Sequence, residues 1–180
     1  MEEQKKRKPT RLQGFDYNNV GAYFITICTQ NRRCILSHIV GGDVLDAPPK
    51  NVGGDVLDAP PCVALSQYGK IVDKYINQLN DFYDNVEVDS CVIMPNHIHI
   101  ILFVLENGSS RTSTPTIQHS VVCRFVSTLK RFCNKEIGNN IFQRSFHDHI
   151  IRNRDDYEEH VKYICENPMR WQFDELYSEE

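Results

Sequence analysis

Val86-Glu87-Val88-Asp89-Ser90-Cys91-Val92-Ile93-Met94-Pro95-Asn96-His97-Ile98-His99-Ile100-Ile101-Leu102-Phe103-Val104 is the stretch that decides the fold. Its first half alternates polar and apolar and then turns apolar. Pro95-Asn96 interrupts it, and an apolar run rich in isoleucine resumes after His97. This is the pattern of a hairpin of two adjacent antiparallel strands. Residues i and i+2 of a strand share a face, so His97 and His99 stand side by side with Ile98 and Ile100 behind them. Two imidazoles so placed suit a divalent cation, and they equally suit a half-exposed strand face with no ion.

Ala22-Tyr23-Phe24-Ile25-Thr26-Ile27-Cys28-Thr29 reads as a buried first strand. Between Tyr68 and Tyr83, Ile71, Val72, Tyr75, Ile76 and Leu79 fall on one face of a helix. After a polar connector at 108–115, Thr116 is expected to cap an amphipathic helix running to about Ile137. Phe142 to Ile151 can form a further strand, and Asp155-Asp156 place carboxylates at the start of a last helix, where the helix dipole favours them. The order strand, helix, hairpin, helix, strand, helix predicts an α+β fold: a ferredoxin-like split βαβ arrangement with a central antiparallel sheet, helices covering one face, and an additional C-terminal helix.

The 180 residues fit one domain over 15–180, preceded by a basic arm at 1–14. Val40-Gly41-Gly42-Asp43-Val44-Leu45-Asp46-Ala47-Pro48-Pro49 recurs unchanged as Val52 to Pro61. Two copies cannot build a solenoid, so 40–61 reads as a duplicated, flexible insert with no catalytic role. No apolar run approaches the ~18 residues of a membrane helix, and no secretory signal follows the basic N-terminus, so no membrane partner and a cytoplasmic location are expected. The seven cysteines form no C-x-x-C pair and are expected to be reduced and mostly buried.

A net charge of −4 conceals an uneven distribution. Acids gather in the insert and after residue 154. Bases gather at Lys5, Lys6, Arg7, Lys8 and Arg11, and again at Arg111, Arg124, Lys130, Arg131, Lys135, Arg144, Arg152 and Arg154. Clustered cations of this kind displace counterions from phosphates, although a solvated helix face beside a free arm gives the same count.

Three motifs in order, Met94-Pro95-Asn96-His97-Ile98-His99-Ile100-Ile101, Phe142-Gln143-Arg144-Ser145-Phe146-His147-Asp148-His149-Ile150-Ile151-Arg152 and Tyr163-Ile164-Cys165-Glu166-Asn167-Pro168, resemble the REP-associated tyrosine transposases. These are HUH endonucleases, in which a hydrophobic residue separates two metal-binding histidines. The resemblance runs from about Phe15 to Trp171 and leaves out the insert and the connector. It implies that His97 and His99 hold a divalent metal, Mg2+ or Mn2+, that Tyr163 is the nucleophile, and that Asn167 completes the metal site. Tyr163 and Asn167 are i and i+4 on a helix and share a face. A phenol is a weak nucleophile near neutrality, so a cation nearby must assist it.

The implied activity is transposase-like: cleavage and rejoining of single-stranded DNA at hairpin-forming repeats through a 5′-phosphotyrosine intermediate. Single-stranded or hairpin DNA is the expected partner, touched by Lys5, Lys6, Arg7, Arg11, Arg124, Lys130, Arg131, Arg144, His147, His149 and Arg152. The same resemblance implies a bacterial, nucleoid-associated protein, working alone or as a homodimer. His147 and His149 form a second H-x-H that competes for the metal, and Tyr157 is a rival nucleophile lacking the i, i+4 relation to Asn167. His160 reads as a helix-surface residue. A rolling-circle initiator or relaxase, and a DNA-hairpin-binding protein without cleavage, are the alternatives.

Overall fold

The computed structural model describes residues 16–41, 61–106 and 120–178. Strand β1 (Gly21–Cys28) lies inside a four-stranded antiparallel sheet. It pairs on one side with β5 (His97–Val104), from Gly21 opposite Val104 to Cys28 opposite His97, and on the other with β6 (His147–Ile151). Strand β4 (Val86–Ile93) completes the hairpin on the outer edge of β5, with a register shift between Val88 and Ser90. The order β4-β5-β1-β6 is that of the split βαβ fold expected from the sequence.

Helix α1 (Gln67–Phe82) is capped by Ser66, whose hydroxyl accepts from the Gly69 N–H at 3.1 Å. Helix α2 (Val121–Ile137) is capped by Ser120, while the expected cap, Thr116, lies outside the described residues, and Gly138 ends the helix at φ 80°, a left-handed turn that favours glycine. Val72, Ile76 and Leu79 of α1, together with Val122, Phe125, Val126, Leu129 and Cys133 of α2, pack on Ile25, Ile27, Ile98, Ile100 and Leu102 of the sheet. Each such fully buried side chain stabilises the fold by about 2 kcal/mol.

The helices do not all cover one face. Alternation along β5 turns His97 and His99 away from that core, to the side where α3 (Arg154–Glu166) crosses β4 and β5. Three further features lay outside the predicted pattern. Strands β2 (Ser37–Val40) and β3 (Cys62–Leu65) form a separate two-stranded ladder on either side of the repeat, which itself falls largely outside the described residues. Strand β6 is shorter than 142–151, because Phe142 makes only an isolated bridge to Thr29. A 3₁₀ helix (Asn167–Phe173) continues the chain beyond α3.

The cysteines are free, as expected, but only Cys28, Cys123 and Cys133 are buried. Cys62, Cys91 and Cys165 are exposed: Cys62 and Cys91 stand on the short ladder and an edge strand, and Cys165 on α3. Among the described residues no helix is long and apolar enough to cross a membrane.

Candidate active site

His97 and His99 are polar residues in a buried position, 0% and 2% exposed. Their Nδ1 atoms are engaged. His97 Nδ1 lies 2.8 Å from Asn96 Oδ1, while Asn96 Nδ2 donates to the Leu176 carbonyl at 2.7 Å and to Ser178 Oγ at 2.9 Å. With the amide nitrogen committed, Asn96 Oδ1 is the acceptor and His97 Nδ1 carries the hydrogen. His99 Nδ1 is 2.9 Å from Thr26 Oγ1 on the neighbouring strand. This leaves the Nε2 atoms inward, and both, together with Asn167 Oδ1, are buried without a hydrogen-bond partner among the described residues. An orphaned buried polar atom costs about 1–3 kcal/mol, so the two Nε2 atoms of neighbouring same-face histidines form a pair that a bound cation would satisfy.

Burial keeps both rings neutral. It pushes the pKa of His97 down to about 4 and that of His99 to about 3, with His97 adding to the effect on His99. Neutral imidazoles, each tied through Nδ1 and bare at Nε2, are the form in which histidine binds a metal.

Asp174 closes the constellation, its carboxylate and the two histidine nitrogens lying within 4.8 Å of one another. Oδ2 accepts from the Tyr163 hydroxyl at 3.0 Å and from Asn167 Nδ2 at 2.9 Å, and Oδ1 accepts from the Leu176 N–H at 2.6 Å. Burial works to raise the Asp174 pKa, but the Leu176 and Asn167 donors, His97 and Tyr163 outweigh it and hold the carboxyl below its usual range. Tyr163 is affected in the opposite sense: burial first, then the Asp174 charge and hydrogen bond, push its phenol up to about 12. As it stands the phenol is held protonated, and only added positive charge would ease its ionisation.

Local sequence explains how the parts meet. Asn153 caps α3, accepting from the Asp156 N–H at 2.9 Å, and sets the helix phase. That phase turns Tyr163 edge-on to His99, with ring centres 5.2 Å apart. Pro168 begins the 3₁₀ helix, which bends the chain back so that Asp174 returns to Tyr163 and Asn167. The tail is pinned beyond that point by Asn96 and by Ser178 Oγ, which donates to the Arg32 carbonyl at 2.9 Å. Beside Tyr163 opens a cleft of about 500 Å³ lined by Phe24, Thr26, Arg32, His99, His147 and His160, among others. Arg32 reaches it from a left-handed backbone conformation, φ 53°, following Asn31 at φ 58°. Two such residues in succession cost about 1–2 kcal/mol each.

The other predicted residues are dispersed. His147 lines the cleft but joins no cluster of metal-type ligands among the described residues. His149 pairs with Asp156 at 2.9 Å. Exposed Arg144 and Arg152 flank β6 on either side. Arg124 and Arg131 stand on α2, across the sheet from the histidines. Lys130 is spent on structure: its ammonium donates to the carbonyls of Gln143 and Ser145 at 2.8 Å each, and burial lowers its pKa to about 8. Lys5, Lys6, Arg7 and Arg11 lie outside the described residues. The hydroxyl of Tyr157 donates to Asp89 on β4 at 2.9 Å, on another side of the helix from the cleft. His160 is less peripheral than expected, its ring 4.6 Å from that of Phe24.

No model of a known protein family matches the chain. An uncharacterized protein of Haemophilus influenzae is 29% identical over 95% of this chain and 93% of its own length. A REP-associated tyrosine transposase of Escherichia coli is 33% identical over 84 residues, 47% of this chain and 45% of the relative. A solved REP-associated tyrosine transposase bound to a REP hairpin shares the fold, with a TM-score of 0.56 at 22% identity over 94% of this chain and 74% of the other. The chain is similar to REP-associated tyrosine transposases. His97, His99, Tyr163 and Asn167, the residues that the resemblance implies for the site, lie together in the structure. Asp174, Asn96, Thr26 and Arg32 were missed. Asn96 looked like a turn residue, and nothing in the run Asp174-Glu175 separates its first carboxylate from any other tail acid.

Proposed function

We propose that the chain is a divalent-metal-dependent endonuclease and strand transferase acting on single-stranded DNA, with Tyr163 as its nucleophile. The observation that carries this reading is the grouping of the His97 and His99 ring nitrogens, whose Nε2 atoms are buried without a partner, with the Asp174 carboxylate that also accepts from the Tyr163 hydroxyl and from Asn167 Nδ2. The similarity to transposases, one of them described with a REP hairpin, supports hairpin-forming DNA as substrate.

His97, His99, Asn167 and Asp174 would hold the cation, with Asn96 and Thr26 fixing the two rings. Bound there, Mg2+ or Mn2+ would neutralise charge on the scissile phosphate and favour the ionised phenol. The Tyr163 oxygen forms a bond to phosphorus as the bond from phosphorus to the 3′ oxygen breaks, and the proton lost by the phenol is balanced by the one gained at the released 3′-OH. The 5′-phosphotyrosine retains the energy of the broken ester, so a second 3′-OH can reverse the step and join two strands. Arg32, on the cleft wall, faces the incoming backbone.

The test is a labelled palindromic single strand incubated with Mn2+ and resolved on a denaturing gel. The wild-type chain should give a covalent protein–DNA band that Tyr163→Phe abolishes. A band of unchanged intensity in that variant overturns the assignment.

A further inference from the structure

Among the described residues, one cluster of metal-type side chains outside the site just described is unaccounted for. Two residues, Arg152 and Asn153, separate the edge strand β6 from α3, and this short turn sets His149 against the first two turns of the helix. His149 Nε2 lies 2.9 Å and 3.0 Å from the two carboxylate oxygens of Asp156, and His160 Nδ1 lies 3.2 Å from Asp156 Oδ1. One ligand atom from each of the three residues falls within 4.8 Å of the other two. The imidazole rings stack, with centres 4.7 Å apart at 17°.

The division of labour within Asp156 matters. Its Oδ2 accepts from the Arg152 N–H at 2.9 Å and so anchors the turn, which leaves Oδ1 facing both imidazoles. Asp156 and His160 are i and i+4 on α3, a spacing that points two donors to one side. The third donor comes from a separate element that is covalently close and held by that same anchor. Two of the three donors, those of His149 and Asp156, are thus held together before any ion arrives.

The geometry points to a second divalent-cation site at His149, Asp156 and His160, selective for transition metals. Two imidazoles and one carboxylate favour Zn2+, Co2+ or Ni2+ over Mg2+, which prefers an all-oxygen shell. His160 Nδ1 now donates to the Asp156 main-chain carbonyl at 2.7 Å, so ligation by Nδ1 needs the Nε2–H tautomer together with a turn of the ring from that carbonyl toward Asp156 Oδ1, 3.2 Å away. Access is open, since the side chains of His149, His160 and Asp156 are 46%, 19% and 18% exposed. The site is distinct from the first: the Phe24 ring stands between them, 4.9 Å from His99 and 4.6 Å from His160. A cation there would bring positive charge to the cleft rim, where Glu159, Asp174 and Glu175 oppose a polyanion.

The experiment is a calorimetric titration of the chelator-treated full chain with Co2+, followed in parallel by visible absorbance. Two equivalents are expected for the wild type and one for His149→Ala, a substitution at a half-exposed side chain. A single wild-type equivalent that survives in His149→Ala overturns the second site and leaves the nuclease reading intact, as do two equivalents in both proteins. A single wild-type equivalent that disappears in His149→Ala upholds this site and removes the one at His97 and His99.

Discussion

Acidification from pH 7.5 to pH 5 in the presence of a chelator should cost the fold about 4 kcal/mol, and two residues should account for it. His97 and His99 titrate at about 4 and about 3 in the folded chain because burial opposes their charged forms. Unfolded, each returns to about 6.5. The folded values are depressed bases, so the full stability is present above pH 6.5 and falls as the unfolded chain takes up protons that the folded chain refuses. At pH 5 each site lies about 1.5 units below the unfolded value, a cost of about 2 kcal/mol per histidine. Asp156, Asp174 and Glu136, all lowered, also favour the fold at higher pH, but their contribution is lost only below about pH 4. The interval from 7.5 to 5 therefore isolates the histidine pair. Urea unfolding at the two pH values, read by the fluorescence of the single tryptophan, Trp171, measures the loss directly. His97→Gln should roughly halve it. Equal stability at both pH values, or an undiminished loss in His97→Gln, would refute the account of the pair as neutral buried donors.

Three more outcomes follow from particular contacts. Asp174→Asn removes the carboxylate of the metal group and should weaken Mn2+ binding roughly tenfold to a hundredfold in calorimetry. Gly69→Ala puts a Cβ 2.1 Å from the Leu36 carbonyl oxygen, so α1 or the chain at Leu36 must move; a thermal melt should show a loss of about 2 kcal/mol despite the better helix propensity of alanine. Lys130→Met leaves the Gln143 and Ser145 carbonyls without their donor and should cost about 2 kcal/mol in urea unfolding while leaving the salt dependence of DNA binding unchanged.

Much of the fold was legible because its strands and helices carry clean periods. The hairpin around Pro95-Asn96, the apolar face of α1 and the carboxylates opening α3 were read from local pattern, and each is found within a residue or two of its predicted bounds. Face and distance were harder to read. The basic residues of α2 are dense in the sequence, yet α2 packs its apolar side on the face of the sheet away from His97 and His99, and Lys130 turns inward to tie a loop. Asp174 was illegible for a related reason. It is seven positions beyond Asn167, a separation that brings it to the site only because a 3₁₀ helix reverses the chain, and no periodicity marks that reversal. His160 looked peripheral because its contact, Phe24, belongs to a strand more than a hundred residues earlier.

The ladder of β2 and β3 has a consequence for how the gene can change. Its register runs from Ser37 opposite Leu65 to Val40 opposite Cys62, so the first residue of the repeat is held against the residue that follows the second copy. Closing a longer stretch across that gap adds only about 0.6 kcal/mol for each doubling of its length. A direct repeat in coding sequence is what replication slippage creates and erases. A gained or lost copy would fall between β2 and β3, whose ladder is separate from the four-stranded sheet.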